Sequence, residues 1–413
     1  MENIYQNWLS NLPAATGEFK KIQENGRKAI GTIGFPKKDQ EEWRLTDLKR
    51  MERILKLPII SKVEGEEKCY VEKLPEINKK TTRIIINNIG DRNNLRLPSN
   101  IKKLSKAEVN EYFSSQTTNI HRKDEWEINF NQSIAEEILG LRIIGKEFQS
   151  LEIIINATSN HLIGTKILII LDKEAKLNLL EVLIGSKNSA ISHATEIYLE
   201  ENSNLNHGFI ASSNKDESSL LSCLKVYQEI DSNYNLTSIQ NGWSISRFKP
   251  EIVQLEGQAH TQIKGLQVAI NDYQISTQSI IKFNGPNGTL EQVQKTIAAN
   301  KSHSIFNGAI IVPKVAQKTN ASQLSRNLII SDKAKIDTKP ELKIIADDVR
   351  CAHGATVSQL QDDELFYLQS RGLDVEDAIN LLLRGYCQEI LNNLPVEFNK
   401  WEILNHIIKN IRK

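Results

Sequence analysis

The sequence is poor in cysteine, and its four cysteines, at positions 69, 223, 351 and 387, are too far apart to form a CxxC pair. Such spacing gives neither a disulfide framework nor a self-contained zinc site. Lys and Arg together number 52, and Asp and Glu number 51. No excess charge therefore indicates binding to nucleic acid. These features predict a soluble protein of a reducing compartment.

Long apolar runs and nucleotide-binding or catalytic loops are also missing. No run approaches the ~20 apolar residues that span a bilayer, and even the run from Leu162 to Leu171 contains Lys166. The opening MENIYQNWLSNL lacks the pattern of a secretory signal, so we expect no membrane insertion and a cytoplasmic location, with the plastid stroma as the alternative. No GxxxxGK[ST], GxSxG, HExxH or GxGxxG motif occurs, which predicts that the isolated chain is not an enzyme.

Short β-rich runs follow one another from about residue 126 to residue 345, with few stretches long enough for a helix. More than ten short strands without alternating helices exclude a doubly wound fold and leave a sandwich, a barrel or a β-solenoid. Related segments recur at Ala175–Asn178, Ser203–Asn206 and Ser232–Asn235, roughly 25–30 residues apart, which is typical of repeat architectures. The recurrence favours a solenoid.

Helical segments flank this β-rich region. Residues 1 to about 60 are predicted to form two helices, separated by a break from Gly31 to Pro36. Near the other end, Asp374 is a good N-cap for a helix from Val375 to about Asn393, which Pro395 ends. We therefore divide the chain into an N-terminal helical and mixed α/β region (1–125), a β core (126–357) and a C-terminal helical domain (358–413).

The stretch from Ala346 to Gly372 has the densest set of specific residues. A strand is predicted before it and a helix within it, at Asp362–Gln369. We expect Cys351 and His353 to lie where the strand gives way to the helix, with Gly354 allowing a tight turn. Positions two apart in extended chain face the same way, so the thiol and the imidazole point into one space. Both groups ligate zinc, copper and iron–sulfur iron.

Several motifs resemble the SufB/SufD family, whose members are scaffold subunits of the Suf iron–sulfur cluster assembly machinery. ADDVRCAHGAT from Ala346, LFYLQSRG from Leu365 and LLLRGYCQEI from Leu381 are similar to its C-terminal core. FNGAIIVPKVAQKTNASQLSRNLIIS, upstream, is a second hallmark, and GFP followed by EEWRLTDL resembles the SufD branch. Ser358 and Ser325 depart from the family pattern, outside the Cys-Ala-His core.

The resemblance implies a right-handed parallel β-helix core with helical regions on both sides. It also implies a SufD-like subunit that pairs with a SufB-like paralogue and a SufC-like ATPase, or forms a homodimer when alone. Cys351 and His353 would then contribute ligands to a nascent Fe–S cluster shared with the partner subunit. Any flavin would be bound at the level of the complex, because the chain has no dinucleotide loop.

The apolar arc of the helix that follows Asp374 is much wider than the ~100° that a surface helix needs. We interpret it, together with the preceding helix, as a surface that binds the partner ATPase, as the family resemblance also implies. A helical cap that seals the end of the solenoid is the alternative. The predicted partner-binding residues are Leu365, Phe366, Leu382, Leu383 and Tyr386.

Other interpretations stay open at this stage. The chain could be the SufB-type paralogue, a β-helix carbohydrate-active enzyme or an enzyme that binds its own metal through Cys351, His353 and an Asp. On residues alone, a buried structural cysteine and a hydrogen-bonded histidine are the more common outcome. The resemblance to the family motif favours a ligand role for His353 over a purely structural one. For Cys351 it leaves the two roles, ligand and buried structural thiol, evenly balanced.

Overall fold

A computed structural model of the chain describes residues 2–60, 74–86, 97–116, 125–213 and 217–411. Within these ranges, two nine-stranded sheets form a parallel β-solenoid of about eight turns. Sheet A has the order β17-β15-β13-β11-β9-β7-β5-β3-β2, and sheet B the order β1-β4-β6-β8-β10-β12-β14-β16-β18. All pairs are parallel except β2 with β3. The predicted fold class is confirmed.

The strands of sheet A are β2 Ile101–Lys103, β3 Ile138–Ile143, β5 Leu162–Leu171, β7 Ala190–Leu199, β9 Ser219–Gln228, β11 Ile245–Gln254, β13 Gln274–Phe283, β15 His303–Val312 and β17 Lys335–Ile344. The strands of sheet B are β1 Thr81–Ile86, β4 Phe148–Asn156, β6 Lys176–Gly185, β8 Asn204–Ser213, β10 Asn233–Asn241, β12 His260–Ala269, β14 Thr289–Ala298, β16 Asn320–Ile329 and β18 Arg350–Ser358. The helices are α1 Glu2–Ser10, α2 Lys20–Ile33, α3 Leu48–Ile54, α4 Lys106–Gln116, α5 Trp126–Ile134, α6 Asp362–Ser370, α7 Val375–Leu391 and α8 Ile403–Ile411, with 3-10 turns at Glu41–Trp43 and Val396–Trp401.

The recurring sequence segments mark one turn of the solenoid each. Asn178, Asn206 and Asn235 lie directly side by side in adjacent strands of sheet B. Their side-chain amides form a ladder, with hydrogen bonds of 2.9 Å between neighbours. Asn202 and Asp231 turn the preceding corners in the left-handed conformation, with φ of 58° and 55°, which Asn and Asp tolerate better than most residues. The repeat period therefore comes from corners as well as strands.

Three helices, and not the two predicted, precede residue 60. The helical region does break within the predicted range of Gly31 to Pro36, but the break begins three residues late, because α2 continues through Gly31 to Ile33 and ends before Gly34. Gly26 lets this helix approach α5 closely, since a Cβ there would lie 2.8 Å from Cβ of Gln132. The third helix, α3, begins after Asp47, whose carboxylate accepts hydrogen bonds from the backbone N–H groups of Lys49 and Arg50.

The predicted domain boundaries stay predictions, although the structure shows which elements they separate. Strands β1 and β2 come from the predicted N-terminal region, and each lies at the edge of one of the two sheets. Helices α2 and α5, on either side of the predicted boundary at residue 126, pack against each other. The turn predicted at Gly90–Asp91 lies outside the described residues.

Helix α7 begins as predicted, with Oδ1 of Asp374 accepting a hydrogen bond of 2.8 Å from the Asp377 N–H. Together with α8 it packs on the outer face of sheet B, against side chains such as Ile210 and Leu266. The alternative of a helical cap that seals the solenoid end was therefore wrong. These outward-facing apolar residues supply the lateral surface that the helices cover, so the helices stabilise the side of the solenoid and not its end.

Candidate metal centre

Cys351 and His353 lie on the inner face of β18, the last strand of sheet B. Cys351 pairs with Ala321, and His353 pairs with Gln323, both of which are buried inside the preceding turn. The prediction that the strand gives way to a helix at these residues was wrong. The prediction of a tight turn at Gly354 was also wrong. Pairing with β16 continues as far as Ser358 and keeps the chain extended through the glycine.

The two residues lie at the end of the solenoid where β17 and β18 are the last strands of their sheets. Among the described residues, β17 and β18 pair only with the strands that precede them in their sheets. Cys351 is half-buried against the main core, whereas His353 is exposed. Apolar side chains are exposed around the same end, with Ile345 at 68% and Val357 at 51%. Exposed apolar side chains beside unpaired strand edges are typical of a surface that another chain covers.

The column of inward-facing side chains that ends in His353 is polar over its last three positions. In the column of inward-facing side chains that ends in His353, Leu236 and Ile263 are followed by Gln292 and Gln323. Nε2 of Gln323 donates a hydrogen bond of 2.7 Å to Oε1 of Gln292. Sequence analysis missed this column, because its members can be aligned only when the strand register is known. The His353 imidazole therefore follows two buried polar side chains, Gln292 and Gln323, in the same column.

Burial raises the pKa of the Cys351 thiol, and a hydrogen bond with the Ala321 backbone opposes this effect only in part. The thiol is therefore protonated near neutral pH and must lose its proton to bind a metal. In the described part of the chain, no group of three or more His, Cys, Asp or Glu side chains is arranged to hold a metal ion. Because a cluster needs about four protein ligands, Cys351 and His353 can form only part of a ligand set.

The predicted partner-binding residues divide into a buried and an exposed group. Leu383 is only 2% exposed and packs on sheet B, so it is not accessible to a partner. Leu382 is half-buried, and the Tyr386 hydroxyl donates a hydrogen bond of 2.6 Å to the Arg326 carbonyl. These contacts attach α7 to the solenoid.

Helix α6 presents the exposed group. None of its residues is buried. Phe366 is 72% exposed, Leu365 is half-buried, and the neighbouring Tyr367, outside the predicted set, is 56% exposed. Large apolar side chains this exposed on one short helix mark a contact surface more readily than a core helix.

A family profile described as "SUF system FeS cluster assembly, SufBD core domain" matches residues 153–386, more than half of the chain. The chain belongs to the SufBD family. The matched range contains Cys351, His353 and α6, together with most of the solenoid. The resemblance found in the sequence motifs, to the SufB/SufD family and most to SufD, is thereby confirmed.

Curated relatives show the same relationship. An iron–sulfur cluster assembly SufBD family protein of Synechocystis is 40% identical over 202 residues, which are 49% of this chain and 44% of that protein. Protein ABCI7, chloroplastic, of Arabidopsis thaliana is 29% identical over 249 residues, 59% of this chain and 52% of that protein. The iron–sulfur cluster assembly protein SufD of Escherichia coli is 36% identical over 155 residues, 37% of each chain. The matched part spans about half or less of each relative.

SufBD membership argues for iron–sulfur cluster assembly and against a β-helix carbohydrate-active enzyme. No helix in the described ranges is long and apolar enough to cross a bilayer. The cytoplasm, or the plastid stroma, stays the predicted location.

Proposed function

We propose that this chain is a SufD-type scaffold subunit that helps to build an iron–sulfur cluster at the open end of its solenoid. The observation that carries the proposal is the position of Cys351 and His353 on the inner face of the last strand, where no described element covers them. Two ligands cannot complete a cluster that needs about four. A second subunit seated on this end would supply the others.

A SufB-like paralogue is the partner that this arrangement favours. A second solenoid of the same family would present an end of matching width, with its own strand edges available for pairing. The SufB-type role for this chain is the alternative. The motif that resembles the SufD branch, Glu41–Leu48, binds the outer face of sheet A, where Glu42 pairs with Arg247 at 2.9 Å. That position supports a structural contribution from the motif.

A SufC-like ATPase would bind the C-terminal helices, and the exposed side chains of α6 make this helix the better candidate surface. Phe366 and Tyr367 offer aromatic contact area without any change in the fold. Helix α7, in contrast, is attached to sheet B through Tyr386 and through Lys295, whose ammonium bonds Glu389. Force applied to these helices would therefore reach the solenoid.

A flavin, if the complex binds one, would be held by more than one subunit.

The test is co-expression with SufB-like and SufC-like subunits, followed by size-exclusion chromatography and by iron and sulfide analysis. His353→Ala should leave the complex intact and reduce its iron and sulfide content. His260→Ala is the matched control, because His260 is an exposed histidine on the outer face of sheet B. A complex with His353→Ala that holds as much iron and sulfide as the wild type would reject the ligand role. A chain that joins no complex would reject the scaffold role.

A further inference from the structure

A cavity of about 800 Å³ lies where the N-terminal segments pack against the outer face of sheet A. Its walls come from the chain after α2, from the chain that leads into α3, and from the first residues of β13 and β15. Pockets that hold small molecules typically measure about 300–1,000 Å³. The cavity therefore has the size of a site for a small organic molecule.

Four cationic side chains line this cavity, and none of them forms an ion pair within the described ranges. They are Lys37, Lys38, Arg44 and Lys49. The one carboxylate among the described lining residues, Asp47, is already engaged. It accepts backbone hydrogen bonds at the start of α3, and its Oδ2 lies 3.5 Å from Nε of Arg50. The cavity therefore has an excess of positive charge that its own lining does not neutralise.

A neighbouring cavity of about 440 Å³ on the same face is lined by charges of both signs. There Lys339 donates a hydrogen bond of 2.6 Å to Glu41. With a smaller contribution from Arg44, it holds the pKa of the Glu41 carboxyl below its usual value. Lys343 lies 3.7 Å from Glu341 in the same cavity. Basic groups are thus matched by acidic ones in the smaller cavity and unmatched in the larger one.

The larger cavity also has apolar side chains and walls that are held in place. Phe35 and Leu48 are buried in the N-terminal core, and Leu45 is 38% exposed. Gln274 accepts a hydrogen bond of 2.7 Å from the Asp47 N–H and donates one of 2.9 Å to the Leu45 carbonyl. These bonds fix the segment before α3 to sheet A. A cavity that is formed in advance loses less conformational entropy when a ligand binds.

We propose that this cavity binds a small molecule in which a phosphate monoester is attached to an apolar or aromatic group. The phosphate carries nearly two negative charges at pH 7 and three acceptor oxygens, so it can contact several of the four cations at once. A monocarboxylate offers one charge and two oxygens. The apolar group would lie against Leu45. The site shares no residue with the pair of Cys351 and His353, and the proposal does not depend on the proposed function.

The test is isothermal titration calorimetry of the full chain at low salt and pH 7, with phenyl phosphate, inorganic phosphate and benzoate as probes. Phenyl phosphate should bind most tightly. Arg44→Gln should weaken its binding roughly tenfold, because a charge-assisted hydrogen bond is lost. Leu45→Ser should weaken the binding of phenyl phosphate and leave that of inorganic phosphate unchanged. Lys343→Gln, which removes an exposed cation from the smaller cavity, is the matched control.

Acetylation of lysine side chains, followed by peptide mass spectrometry, locates the bound probe. Phenyl phosphate should protect Lys38 and Lys49 from acetylation and leave Lys343 as reactive as before. Thermal unfolding of each variant shows whether it keeps the wild-type fold, which we expect because the substituted side chains are all exposed.

Several results would overturn the proposal. Absence of binding at millimolar phenyl phosphate would reject the site. Equal affinities for phenyl phosphate and inorganic phosphate would indicate adventitious anion binding only. Tighter binding of benzoate would reject the phosphate class. A loss of affinity in Lys343→Gln as large as that in Arg44→Gln would show that only the overall charge of this face matters.

Discussion

Oε2 of Glu181 lies 3.0 Å from Nε2 of His207 in the closed interior of the solenoid. Oε1 of the same carboxylate lies 3.3 Å from Nε2 of His193 and accepts a hydrogen bond of 2.7 Å from the Thr195 hydroxyl. Burial by itself would raise the pKa of the Glu181 carboxyl, but the hydrogen bonds and charges of the two imidazoles outweigh it and hold the pKa well below its usual value. A fully buried carboxylate is therefore kept ionised by its neighbours.

We expect Glu181→Gln to destabilise the fold by about 1–3 kcal/mol, because the new amide group would turn a donor towards a site that already contains donors. The measurement is equilibrium unfolding in urea at pH 7. Glu256→Gln, at an exposed corner position, is the matched control and should change the free energy of unfolding little. Equal unfolding midpoints for the two variants would show that the buried network does not contribute to stability.

The contribution of Glu181 should depend on pH in a defined direction. Its pKa in the folded state is lower than the ordinary value of 4.5, so the unfolded chain takes up the proton first as the pH falls. The stability from this group is therefore fully present above the unfolded-state pKa and is lost as the pH falls below about 4.5 towards the folded-state pKa. Unfolding of the wild type and Glu181→Gln between pH 7 and pH 3 should show the difference shrinking only at the acidic end. A difference that grows on acidification would contradict this assignment.

The solenoid could be predicted from sequence because its corners and ladders repeat at fixed positions, as Asn178 and Asn206 show. The shared face of Cys351 and His353 also followed from strand alternation alone. The Glu181 network could not be predicted, since Glu181 and its partners lie on three different strands whose alignment depends on the length of each corner. Leu383 was assigned to a partner surface because an apolar helix face has the same pattern whether a sheet or another protein covers it.

The raised pKa of Cys351 leads to a prediction about its chemistry. Because burial disfavours the thiolate, alkylation by iodoacetamide should be slow at pH 7 and should still accelerate above pH 9, the ordinary thiol value. Peptide mass spectrometry of the alkylated chain measures this rate for Cys351 separately from the other cysteines. A rate that reaches its plateau near pH 7 would show that the thiolate is stabilised, and binding of a metal would then release no proton.

Substitutions at Phe366 and Leu383 distinguish residues that bind a partner from residues that stabilise the fold. Phe366→Ala should leave the free energy of unfolding within about 0.5 kcal/mol of the wild type, because the ring is already exposed. Leu383→Ala should cost about 2–5 kcal/mol, because its side chain is buried against sheet B. If α6 binds the ATPase, only Phe366→Ala should weaken capture of a SufC-like subunit at a temperature where both variants are folded. Reduced capture by Leu383→Ala alone would instead indicate that the partner binds α7 and depends on how this helix is seated. Thermal unfolding and a pull-down with the ATPase distinguish the two results.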